Sequence, residues 1–92
     1  MKLSNWGIQF EPSARKEFQQ LDDRVKAEAS EAIQDLGEDP FPQGSVELRG
    51  HPNVYRIRFY RDAYRIVYGV SEKQRKVIVQ RVRPRSSTYR GL

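Results

Sequence analysis

Apolar and cationic residues alternate in two neighbouring stretches near the middle of the chain. In Tyr55-Arg56-Ile57-Arg58-Phe59 the parity puts Tyr55, Ile57 and Phe59 on one side of a strand and Arg56 and Arg58 on the other. Tyr64-Arg65-Ile66-Val67-Tyr68 alternates with the opposite parity. Pairing the apolar faces sets Phe59 opposite Tyr64, Ile57 opposite Ile66 and Tyr55 opposite Tyr68. That register sets Arg58 opposite Arg65 on the outer face and leaves Tyr60-Arg61-Asp62-Ala63 as a hairpin loop.

The rest of the chain frames this hairpin. Trp6, Ile8 and Phe10 alternate in a short first strand. Pro12 suits a first helical turn and Ser13 its cap, with Ala14, Phe18 and Leu21 along one helical face. Asp22-Asp23 opens a second helix, whose stripe Val25, Ala29, Ala32, Ile33 and Leu36 is expected to stop at a Gly37 C-cap. Glu38 to Glu47 is punctuated by Pro and Gly and reads as a loop, anchored on the core by Phe41. After a polar turn at residues 71–75, Lys76 to Val82 reads as the last strand, but Val77-Ile78-Val79 is apolar on both faces and leaves its parity open. If Ile78 and Val82 face the helices, Arg81 and Arg83 join the basic face and Arg83 can lie opposite Arg65. The tail from Pro84 has no periodicity and is expected to cross the sheet edge or fray. The expected fold is therefore α+β, in the order β-α-α-β-β-β. A helical hairpin packs on one face of a small, mainly antiparallel sheet, the other face is basic, and residues 1–92 form one domain.

Charge sharpens this picture. The net charge is +5 over 92 residues, but residues 1–47 carry five Lys and Arg against ten Asp and Glu, and residues 48–92 carry twelve against two. An Arg-rich half interleaved with tyrosines is the footprint of a nucleic-acid face, favoured over a surface for an acidic partner. Glu28, Glu31 and Asp35 of the second helix read as solvated, without a catalytic role. With no cysteine, a disulfide framework and a thiolate metal site are both excluded. Neither a membrane-length apolar run nor a secretion signal is expected, so cytoplasmic is the default location.

Like charges paired across strands are unfavourable by roughly 0.2–1 kcal/mol each, so Arg56, Arg58 and Arg65 on one face point to an anion, most simply phosphate. Guanidinium groups bind phosphate oxygens bidentately and stay charged. Arg83, and Tyr89 as a stacking ring, complete the constellation, with Arg49, Arg61, Arg81 and Arg85 as further RNA contacts. The bland alternative is a solvated sheet face. His51, the single histidine, precedes Pro52 in a turn away from the arginines and reads as a turn residue rather than a base. Tyr55, Tyr64 and Tyr68 read as core, whereas Tyr60 fits either role. No metal-ligand spacing, Walker loop or dinucleotide glycine pattern occurs, and no cofactor is expected.

At Leu48-Arg49-Gly50, Tyr55-Arg56-Ile57-Arg58, Tyr64-Arg65-Ile66-Val67-Tyr68 and Val82-Arg83-Pro84-Arg85 followed by Tyr89, the chain resembles the RelE branch of the RelE/ParE toxins of bacterial type II toxin–antitoxin systems. The resemblance implies an endoribonuclease that cuts mRNA in the ribosomal A site, the 2′-hydroxyl attacking the adjacent phosphate, and an antitoxin that wraps and silences it. It places Arg56 and Arg58 where the family often has lysine. Arg65 becomes a phosphate clamp, Arg83 a leaving-group acid or charge stabiliser, and Tyr89 the base-stacking ring. Arginine, with a pKa of about 12 or higher, is a poor base, so the two exchanged positions set this chain apart. The alternative is a non-catalytic ParE-like gyrase inhibitor or RNA-binding module.

Overall fold

The computed structural model describes residues 5–87. Tyr89 lies outside the described residues. The elements are β1 (Gly7–Phe10), α1 (Pro12–Gln19), α2 (Asp23–Glu38), β2 (Val46–Glu47), β3 (Val54–Phe59), β4 (Tyr64–Ser71), β5 (Lys76–Pro84) and a closing 3-10 turn, Arg85–Ser87. They build one mixed open sheet in the order β1-β5-β4-β3-β2, with β1 parallel to β5 and every other pair antiparallel. The two helices carry the chain over one face of the sheet from one edge to the other, and the meander β2 to β5 brings it back beside β1.

The core lies between helices and sheet. Ala14 of α1 and Val25, Ala29, Ile33 and Leu36 of α2 pack on Ile57, Phe59, Ile66, Tyr68, Val70, Val77, Val79 and Val82. This is the predicted α2 stripe meeting the predicted apolar strand face, each large aliphatic contributing roughly 1.5–3 kcal/mol on burial. Tyr68 is fully buried, and its hydroxyl donates to the Pro40 carbonyl at 2.7 Å. Burial pushes its phenol well above the ordinary value, against a hydrogen bond with Ser45. The bond ties the proline loop to the sheet, and Phe41 sits edge-on to Tyr55 at 5.2 Å while remaining 41% exposed.

Several local expectations are corrected. Glu11, not Ser13, is the N-cap of α1, with Pro12 in its first turn. Asp22 caps α2 as expected, accepting from the Val25 amide. Gly37 does not stop α2, which runs on to Glu38, and its carbonyl accepts from the amides of Asn5 and Trp6. Tertiary contact thus supplies the partners that a C-cap would have provided. The segment read as a loop up to Glu47 ends in the two-residue edge strand β2, paired with Tyr55 and Arg56. Ile8 is 36% exposed although it shares parity with the half-buried Trp6 and Phe10, because β1 lies at the sheet edge. Among the described residues no helix is long and apolar enough to cross a membrane.

Candidate nucleic-acid interface

The β3–β4 register is the one the alternation predicts: Phe59 pairs with Tyr64, Arg58 with Arg65, Ile57 with Ile66 and Tyr55 with Tyr68. A bulge in β5 settles the parity left open by Val77-Ile78-Val79. Tyr68 pairs with Val79 but Val67 pairs with Arg81, so Gln80 is the extra residue. Val77 and Val79 face the helices before the bulge and Val82 after it, while Ile78 does not join the core. Without that extra residue, a strand with Val77 and Val79 inside would also turn Arg81 and Arg83 inward. With it, the outer face carries one row of Arg56, Val67 and Arg81 and a second of Arg58, Arg65 and Arg83.

At the tip of the hairpin Arg58 and Arg65 of the second row are gathered with Arg85 on a carboxylate. Asp62 Oδ1 lies 2.7 Å from Arg65 Nη1 and 3.1 Å from Arg58 Nε, and Oδ2 lies 3.7 Å from Arg85 Nη1. Burial alone would raise the Asp62 pKa, but the Arg65 hydrogen bond and the charges of Arg58, Arg65 and Arg85 outweigh it and hold the carboxyl below its ordinary value. Arg65 is 5% exposed, whereas the Arg58 and Arg85 side chains are 51% and 66% exposed. Tyr60, Arg61 and Asp62 all have positive φ, at 55°, 55° and 68°. Left-handed conformations cost non-glycine residues of order 1–3 kcal/mol each. The loop is held by the Asp62 ion pairs, by Ala63 N–H on the Tyr60 carbonyl and by Arg85 N–H on the Ala63 carbonyl.

The β5 side of the face is tied to α1. Beyond the end of β1, the Val82 amide donates to Glu17 Oε1 at 2.9 Å and Arg83 Nε donates to Glu17 Oε2. Arg81 donates to Ser13 Oγ at 2.8 Å. The bonds from Val82 and Arg83 satisfy an edge amide and fix the Arg83 guanidinium beside the sheet, 27% exposed. Among the described residues, the buried Nε atoms of Arg65 and Arg81 have no hydrogen-bond partner.

The structure gathers Arg58, Arg65 and Arg85 on Asp62, sets Arg56 beside Arg58 and Arg83 on the strand next to Arg65 with its Nε on Glu17, and leaves others apart. Arg81 shares the face but is spent on Ser13 and the Gln80 carbonyl. Arg61 lines a groove with Arg24, Ala27, Glu28 and Tyr60 on the α2 side. Arg49 and His51 sit in the turn before β3, whose first residue, Val54, is four strand residues, roughly 13 Å, from Arg58. Tyr60 packs edge-on against Tyr64 and is no open platform. Glu28, Glu31 and Asp35 are exposed on α2.

Two residues that sequence reasoning missed organise the site. Asp62 had a readable signal, an acid in the hairpin loop four residues after Arg58 and three before Arg65. Glu17 had none, because its partners are 65 and 66 residues away. Among the described residues no group of three His, Cys, Asp or Glu could hold a metal ion.

The family model for the ParE toxin of the type II toxin–antitoxin system parDE matches residues 8–89. The chain belongs to the RelE/ParE toxin family. The mRNA interferase toxin RelE of Escherichia coli strain K12 is 31% identical over 84 residues, covering 89% of this chain and 87% of that one. The crystal structure of isolated E. coli RelE superposes with a TM-score of 0.77 at 28% identity, over 86% of this chain and 83% of that one. The toxin of the intact E. coli RelBE toxin–antitoxin complex gives the same TM-score and identity, over 86% and 95%. Two helices on a mixed five-stranded open sheet are thus the RelE fold.

Proposed function

We propose that this protein is the toxin of a type II toxin–antitoxin pair and a cytoplasmic endoribonuclease that cuts translated mRNA at the ribosomal A site. The observation that carries the reading is the convergence of Arg58, Arg65 and Arg85 at the hairpin tip, with Arg83 across the sheet from Arg65. Similarity to the E. coli mRNA interferase toxin supports it.

The reaction is attack of an RNA 2′-hydroxyl on the adjacent phosphate, and the arginines supply electrostatics rather than proton transfer. Arg65, buried and oriented, clamps a non-bridging oxygen. Arg56 and Arg58 hold the phosphate from the open side, and Arg83 stabilises charge on the leaving oxygen. Tyr89 stacks on a base. Donors fixed before reaction need no reorganisation as charge develops on the phosphorane, the usual source of large electrostatic acceleration. With arginine at the Arg56 and Arg58 positions no side chain there serves as a base, so solvent or the RNA accepts the proton, and the ribosome orders the attacking hydroxyl. The same basic half docks an acidic antitoxin that covers the site.

Inducing the protein in bacteria and mapping mRNA 5′ ends tests the reading. Codon-phased cuts confined to translated messages are expected. Intact mRNA with supercoiling defects would transfer the protein to the gyrase-inhibiting branch of the family.

A further inference from the structure

We propose that Asp62 is a positioning residue for the arginine clamp, a counter-ion that assembles Arg58 and Arg65 before RNA arrives. The inference rests on the phosphate-binding reading above and adds a residue whose charge is opposite to that of the site. Arg58 and Arg65 are direct cross-strand neighbours on the outer face. Left to each other, two cations at that spacing repel, and Arg58, with half its side chain in solvent, would swing away. Asp62 Oδ1 instead accepts a hydrogen bond from Arg65 Nη1 at 2.7 Å and forms an ion pair with Arg58, whose Nε lies 3.1 Å away, and Oδ2 faces Arg85.

The backbone is shaped for this task. Three successive residues in left-handed conformation end at Asp62, and aspartate is among the few side chains that tolerate that region. Such strain persists where surrounding contacts enforce it. The carboxylate does not cancel the site: one negative charge meets three guanidinium groups. The ion pair meets Arg58 on its Nε side, so its two terminal nitrogens stay available for phosphate oxygens. Asp62 therefore spends part of each guanidinium fork on orientation and leaves the remainder for the substrate.

A competitor for the phosphate site and a positioning residue predict opposite effects of Asp62→Asn, which keeps the size and the left-handed tolerance but drops the charge. Cleavage by the full chain on mRNA-programmed ribosomes gives kcat and KM, and a labelled single-stranded RNA oligonucleotide gives affinity. A positioning residue lowers kcat about 10- to 100-fold, the scale expected when reacting groups lose about 1 Å of placement, while RNA affinity holds or rises. A kcat equal to or above that of the unsubstituted protein overturns the proposal, as does a loss matched by the unfolded fraction in a thermal melt. Arginine side-chain NMR separates this claim from the nuclease reading. The Arg58 side chain of the RNA-free protein should be ordered by the ion pair, and its Nε–H order parameter should fall in Asp62→Asn. If the unsubstituted protein cleaves nothing, the nuclease reading fails, and the Arg58 signal alone decides the role of Asp62: unchanged side-chain order overturns it.

Discussion

At the residue scale, each arginine's role follows from what already holds it. Arg83 is fixed by Glu17 on α1, so its charge is presented at a set place on the sheet and can act on the transition state rather than on ground-state binding. Arg83→Ala should lower the cleavage rate about 10²- to 10³-fold, as removal of one preorganised donor does, with far less effect on ribosome binding. Tyr89→Ala should also slow cleavage, since stacking worth roughly 1–3 kcal/mol holds the base, whereas Tyr89→Phe keeps the ring and should be near silent in the same assay. Equal damage from the two Tyr89 substitutions would make the hydroxyl a chemical participant. Asp62 yields a pH prediction. Its carboxyl is held below the ordinary 3.8, so its contribution to stability is complete above that value and is lost as pH falls through the lower folded-state pKa. Between pH 5 and 9 it stays ionised, so Asp62→Asn should leave the shape of the pH–rate profile unchanged in that range. An inflection there that disappears with the substitution would show that Asp62 titrates during turnover.

At the scale of elements, the outer face depends on one inserted residue in β5. Gln80 changes which side of the strand faces the helices, so that Val77, Val79 and Val82 are all inside and Arg81 and Arg83 outside. Deleting Gln80 should press Arg81 and Arg83 toward the apolar layer under α1, where unpaired charge is intolerable. The deletion variant should lose cooperative urea unfolding, whereas Gln80→Ala, which keeps the residue count, should unfold within about 1 kcal/mol of the unsubstituted protein. A deletion variant that still folded would mean that the bulge can migrate along β5. The edge of β5 beyond β1 is closed by Glu17 accepting from the Val82 amide, so α1 both protects a strand edge and fixes a site residue.

At the scale of the molecule, charge is separated by face and by half of the chain. The exposed acids of α2 and the arginine rows of β3 to β5 lie on opposite sides of the sheet. That separation orients an approaching polyanion toward the outer face. Single-stranded RNA affinity should fall with salt at a slope of about −0.7 per phosphate contacted, and Arg58→Ala should reduce the slope by about that amount. A slope unchanged by Arg58→Ala would remove phosphate contact from this residue.

The sequence alone determined whatever depends on local periodicity. The β3–β4 register, and with it Arg58 opposite Arg65, follows from two runs of opposite parity joined by a four-residue loop, because slipping the pairing by one residue would turn every apolar side chain into water. The α2 stripe was legible for the same reason. Tertiary structure decided the rest. The parity of β5 could not be read where Val77-Ile78-Val79 satisfies either face, and only packing against α1 and α2 selects the bulge at Gln80. Gly37 could end a helix, but the N-terminal segment docks on its carbonyl and α2 continues. Glu17 reaches Arg83 across 66 residues, a contact that exists because α1 lies along an unpaired strand edge. Strand parity assigned the side of the sheet for Arg56, Arg58 and Arg65 alone, and the fold then divided the candidate arginines: Arg58, Arg65 and Arg85 gathered on Asp62, Arg81 bound to Ser13, and Arg49 and Arg61 set apart from the clamp. Periodicity specifies a face because it is a property of neighbours in the chain. A site requires distances between distant residues, and those are set only when the layers pack.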